Sequence, residues 1–121
     1  MNLDCFYEYC LSKKGVTEHF PFNEDSLVLK VGGKMFLLSS LSSWENECPK
    51  VSLKCNPERA QELRADYDGV QPGYHMSKVH WNTIRFKSDV SDKMMCELIH
   101  HSYELIFKSL SKKMQLEILG N

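Results

Sequence analysis

The stretch "LVLKVGGKMFLLS", residues 27–39, constrains the fold more than any other part of the chain. Two apolar, β-prone runs flank Gly32-Gly33, a pair that can take positive φ at both central positions of a tight turn. The runs are predicted to form an antiparallel hairpin, whose sheet must bury one face against other elements. "KVSLKC", residues 50–55, predicts a third strand, with Val51, Leu53 and Cys55 on one face and Lys50, Ser52 and Lys54 on the other. "HWNTIRF", residues 80–86, predicts the last strand, with Trp81, Thr83 and Arg85 turned away from Asn82, Ile84 and Phe86.

The cover comes from amphipathic helices. Leu3, Phe6, Tyr7, Cys10 and Leu11 recur at helical spacing, with Asn2 as a cap and Gly15 as a stop. Asn56-Pro57-Glu58 opens a second helix that runs to about Tyr67, with Ala60, Leu63 and Tyr67 inward. Ser91 or Asp89 caps a long helix over roughly 91–109, whose inward face holds Met95, Leu98, Ile99, Ser102, Ile106 and Leu110. The tail "SKKMQLEILGN" allows a short final helix with Leu116 and Leu119 docking back. "TEHFPFNEDS" and residues 70–79 read as loops, and "SSLSSWENECP" as a loop or a wider strand connection. The resulting order, α-β-β-β-α-β-α, predicts an α+β fold: a single antiparallel sheet with helices packed on one face.

Residues 1–121 are the size of one domain. The formal net charge of −1 lacks the basic excess of a dedicated nucleic-acid protein and leaves room only for local basic patches. No apolar run is long enough to span a bilayer, and Asp4 and Glu8 stand where a signal peptide has a basic region. No membrane association and a cytoplasmic location are the expectations. The five cysteines are odd in number and form no CxxC, so a disulfide framework is not expected; most read as reduced, core-filling residues.

The uncovered sheet face is expected to carry Val28, Lys30, Lys50, Ser52, Lys54, Trp81, Thr83 and Arg85. A basic face with one aromatic suits a phosphate backbone and a stacking base, and equally an acidic protein partner anchored on Trp81. Lysines on an open face also serve plain solvation.

"PGYHMSKVHWNT", residues 72–83, concentrates the chemical candidates His75, Lys78, His80, Trp81 and Asn82. A metal site would need further ligands, and neither HExxH nor CxxC is present; no metal or cofactor is expected. Cys96 and His100, four apart on the long helix, are a weak pair by themselves. Gly32-Gly33-Lys34 lacks the context of a phosphate loop and is a turn.

"YCLSKKGVTEHFPF" (9–22), "LVLKVGGKMF" (27–36), "LKCNPE" (53–58), "GYHMSKVHWNT" (73–83) and "HSYEL" (101–105) together resemble the MmcQ/YjbR family of small bacterial proteins. The resemblance implies a CyaY-like α+β architecture with an antiparallel sheet and helices on one side. It also implies DNA binding through a double-wing arrangement, which would fall on Lys30, Lys34, Lys54, Lys78, His80, Trp81 and Arg85. Frataxins, which share that architecture, bind iron through an acidic first helix; here that helix offers only Asp4 and Glu8, and an iron ridge is not supported. The expectation is a binding surface without catalytic residues, built from Lys30, Lys34, Lys54, His75, Lys78, His80, Trp81, Asn82 and Arg85, with DNA as the named ligand. The alternatives are a protein–protein adaptor on the same face, and a small-molecule binder or enzyme using His75, His80 and Asn82.

Overall fold

A computed structural model of the chain describes residues 1–74 and 76–120. In chain order the elements are α1 (Leu3–Leu11), β1 (Val16–His19), β2 (Ser26–Val31), β3 (Lys34–Ser40), α2 (Leu41–Glu45), β4 (Lys50–Lys54), α3 (Pro57–Asp66), β5 (Val70–Pro72), β6 (Trp81–Arg85), α4 (Asp92–Ser109) and α5 (Lys112–Leu119). The strands form one six-stranded antiparallel sheet in the order β1-β2-β3-β4-β6-β5. Helices pack on one side of it, and the fold is α+β. Among the described residues, no helix is long and apolar enough to cross a membrane.

The central hairpin turns on Gly32 and Gly33, at φ 58° and 81°, the double positive φ that a tight antiparallel turn needs. The register then slips once. Lys30 pairs with Met35 and Leu29 with Leu37, which leaves Phe36 as the extra residue of a β-bulge. Phe36 and Leu37 are both fully buried, and the Phe36 ring meets Tyr103 edge-on at 5.5 Å. Ser102, the one polar residue expected on the inward face of the long helix, has its reason here. Its hydroxyl donates to the Phe36 carbonyl at 2.5 Å and accepts from the Lys54 amide at 2.9 Å. A helix side chain thus satisfies backbone groups of both central strands.

The helix starts are capped by side chains. Asn2, Asn56, Ser91 and Ser111 each accept from amides in the first turn of α1, α3, α4 and α5. The α2 start borrows Asp25 instead: its carboxylate accepts from the Ser42 amide at 2.7 Å and the Ser40 hydroxyl at 2.6 Å. Those hydrogen bonds hold the Asp25 carboxyl below the usual carboxylate range. The core lies between sheet and helices, with Phe6, Trp44 and Phe86 clustered at ring separations of 4.7 to 5.8 Å.

Several expectations need correction. Val16–His19 and Val70–Pro72 are strands, not loops, and pair at the two edges of the sheet. Residues 41–45 are a short helix. In α5, Leu116 and Leu119 stay exposed, while Met114 and Ile118 dock on the core. Of the cysteines, only Cys10 and Cys55 are buried; Cys96 is half-buried, Cys5 and Cys48 are exposed, and all are free thiols. Burial pushes the Cys10 thiol up to about 12.

Candidate functional site

Strand pairing defines the uncovered face. Lys50 pairs with Arg85, Ser52 with Thr83 and Lys54 with Trp81, so these residues share one side of β4 and β6. Leu38 pairs with Ser52 and with Val28, which extends the same side to β3 and β2, although Val28 and Ser52, expected to be uncovered, are buried at 1% and 7% exposure. Lys30 and Met35 lie on it further along the hairpin, and Thr17 and His19 on the edge strand β1. Val51, Leu53, Asn82 and Ile84 face the helices and are buried. Trp81, Thr83 and Arg85 thus stand on the open side.

The strand positions of this side hold Lys30, Lys50, Lys54 and Arg85 and no carboxylate. The acids lie elsewhere, for instance Asp4 and Glu8 on α1, Glu58, Glu62 and Asp66 on α3, and Glu97 and Glu104 on α4. Asp25 and Asp89, in the loops at the end of the sheet, have their oxygens engaged. Asp89 accepts from the Asp68 and Gly69 amides at 2.7 and 2.8 Å, and these bonds, with a smaller effect of Arg85, lower its pKa.

Directly after β5, Gly73 and Tyr74 stay against β6. The Gly73 amide donates to the Trp81 carbonyl at 2.8 Å, and a Cβ on Gly73 would meet the Trp81 Cβ at 2.8 Å. Only glycine allows the two backbones to approach this closely. The next amide, Tyr74, donates to the Thr83 hydroxyl at 3.1 Å. Pro72 and Tyr74 thereby wall a cleft of about 500 Å³ on the sheet. Its floor is Leu38, Ser52 and Thr83; Ser26, Ser39, Ser40 and Gln71 surround it, and Lys50 and Arg85 supply its charge.

Arg64 fastens the segment from below. Its Nε donates to Asn82 Oδ1 at 2.6 Å, and its terminal nitrogen to the Trp81 carbonyl at 3.2 Å and to the Lys78 carbonyl. The Asn82 amide nitrogen in turn donates to the Ala60 carbonyl at 3.4 Å. Arg64 was not among the residues the sequence singled out. Near the end of a helix it reads as ordinary charge complementing the dipole, and no local pattern marks its reach across to β6.

The expected site residues therefore separate. Lys30, Lys54, Trp81 and Arg85 share the open face. Lys34 does not join them: it pairs with Val31, whose side chain is in the core, and lies at the hairpin tip on the helix side. Asn82 is 1% exposed and makes no surface for contacts; it belongs to the clamp with Arg64. Lys78 and His80 are exposed before β6, with the Lys78 ammonium 3.3 Å from the Gly73 carbonyl. His75 lies outside the described residues. The small cavity beside Asn82 is lined by Leu53, Cys55, Leu63 and His101 among others, not by His80. Lys50 and Tyr74, which the sequence-based set lacked, line the cleft; Lys50 was legible through its strand's alternation.

Elsewhere, His100 Nδ1 lies 2.8 Å from the Lys13 ammonium nitrogen, which leaves the Cys96/His100 pair beside a cation. Among the described residues no group of three or more His, Cys, Asp or Glu side chains could hold a metal ion.

The YjbR family profile matches residues 11–105. The chain belongs to the YjbR family. This YjbR-family protein is 32% identical over 99 residues to YbdF of Escherichia coli O157:H7, covering 82% of this chain and 79% of that one. It is 30% identical over 104 residues to YjbR of Escherichia coli strain K12, covering 86% of each. Among solved structures, protein DR2400 of Deinococcus radiodurans superposes with a TM-score of 0.88 at 32% identity, covering 97% of this chain and 87% of that one. A Pseudomonas syringae protein at 24% identity, with a TM-score of 0.73, shares the fold, over 88% of this chain and 99% of that one.

Proposed function

We propose that this YjbR-family protein is a non-catalytic binding module whose open sheet face takes up DNA, with the phosphate backbone lying along its cations. The observation that supports this reading is the sorting of charge. A chain of net charge −1 places Lys30, Lys50, Lys54 and Arg85 on a strand surface without a carboxylate. A single-sign patch of this kind concentrates an oppositely charged ligand even when the whole molecule is almost neutral. Lys50 and Lys54 mark the two ends of β4, about 13 Å apart at the ordinary rise of a strand.

The test is a titration with duplex and single-stranded DNA at several salt concentrations, followed by tryptophan fluorescence, to which Trp44 and half-buried Trp81 both contribute. Affinity is expected to fall steeply with salt, by a log–log slope of about 0.7 to 0.9 per phosphate contacted. Lys54→Ala and Arg85→Ala should each reduce that slope by about one contact and leave the melting temperature in place. Absence of binding at about 0.01 M salt, where charges act over roughly 30 Å, would sink the DNA reading. The face would then pass to the adaptor reading, with an acidic protein as its partner.

A further inference from the structure

We infer that the cleft beneath Tyr74 seats one unstacked nucleotide of a single strand, so that the face selects single-stranded over duplex DNA; the inference rests on the nucleic-acid reading above and deepens it. The cleft, at about 500 Å³, falls within the range of pockets that enclose a small ligand. Leu38, Pro72 and Tyr74 are its apolar lining residues, and Tyr74 is 70% exposed. An aromatic ring at the wall of a cationic groove is the ordinary platform for a base, because every base offers a π-face.

The polar floor adds hydrogen bonding. Ser52 Oγ and Thr83 Oγ1 lie 2.9 Å apart, so one hydroxyl donates to the other and one O–H remains to donate elsewhere. Base edges and phosphates are rich in acceptors for it. Lys50 and Arg85, cross-strand partners at the cleft, supply the charge for the nucleotide's own phosphate. The cationic positions then continue along β4 to Lys54, beyond the cleft. One free nucleotide cannot engage both ends of that strand, whereas a polymer can. A duplex presents phosphates to the same lysines, but its paired bases stay in the stack and reach the cleft only by being flipped out.

The experiment compares a fluorescein-labelled oligo-dT with a hairpin duplex of equal phosphate count at one low salt concentration, with unlabelled dTMP as competitor. Oligo-dT is expected to bind at least about tenfold tighter than the duplex. Tyr74→Ala should cost the single strand about tenfold, the size of one lost base–ring stack, and leave the duplex unchanged. Tyr74→Phe should keep the preference. Ser52→Leu, which fills the cleft from its floor without adding a ring, should remove it by a separate route. Equal affinity for duplex and single strand, equal losses for both on Tyr74→Ala, or displacement by dTMP as effective as by oligo-dT at equal phosphate concentration would each overturn the inference while leaving the DNA reading standing. Failure of both nucleic acids to bind would overturn the two together.

Discussion

Arg64 shows how much one side chain can organise. A guanidinium presents its donors in a rigid fork, and here the fork reaches Asn82 and the carbonyls of Trp81 and Lys78. Arg64→Met keeps the apolar stem and removes every donor, leaving the buried Asn82 oxygen without its partner. A loss of about 1–3 kcal/mol is expected from that unsatisfied group, seen as a lower urea midpoint. Amide exchange between Gly73 and Trp81 should speed up beyond the global change. Arg64→Lys should not restore it, since an ammonium cannot serve spread acceptors in the same plane. The two turn glycines make a second contrast. A Cβ at Gly32 would come within 2.5 Å of Leu110, whereas at Gly33 it would meet nothing within 4 Å. Both have positive φ, which Asn tolerates better than Ala. Gly32→Ala should cost about 1–3 kcal/mol in thermal or chemical unfolding, and Gly33→Asn well under half of that. The sequence marks both as one turn; only packing tells them apart.

At the scale of elements, the junction of β4 and α3 depends on a neutral histidine. Asn56 caps α3 with its side chain, and its own amide donates to His101 Nε2 on α4 at 3.2 Å. Burial first, then the charges of Arg59, His100 and Lys108, hold the His101 pKa below 6.5. A group with a lowered pKa that must stay neutral contributes its stability above the unfolded value. That stability is lost as the pH falls below 6.5 and through the lowered folded pKa. The melting temperature should therefore drop between about pH 7 and pH 5 by more in the wild type than in His101→Gln. The elements legible in the sequence were those with two-sided demands: the inner strands alternate because one face is core, and α4 carries a full apolar stripe. The edge strands gave no such signal. Val16–His19 has one neighbour and mixed polarity, and Val70–Pro72 is three residues ending in a proline. Pro72 donates no amide, which an outermost strand tolerates. In α5 the short helix left its rotation open, and Met114 and Ile118, rather than the leucines, found the core.

For the molecule as a whole, the open face was legible from alternation alone, because β4 and β6 keep a strict period of two and pair without a slip. The cleft was not, since it depends on where Pro72 and Tyr74 sit against β6, and no local pattern specifies that. Nor does net charge reveal a surface on which charge has been sorted by face. The bulge at Phe36 has the widest reach. With a continuous ladder from the Gly32-Gly33 turn, Leu29 would pair with Phe36 and Val28 with Leu37. Leu37 would then stand in water, and Leu38 and Ser40 would point into the helices. One inserted residue reverses the parity of everything after it, and so puts Leu38 beneath the cleft. A one-residue deletion in β3 therefore acts as a frameshift in space: the chain reads on unchanged, but inside and outside trade places along half a strand. For a surface made of alternating positions, length is as much a part of the recognition code as the identity of any side chain.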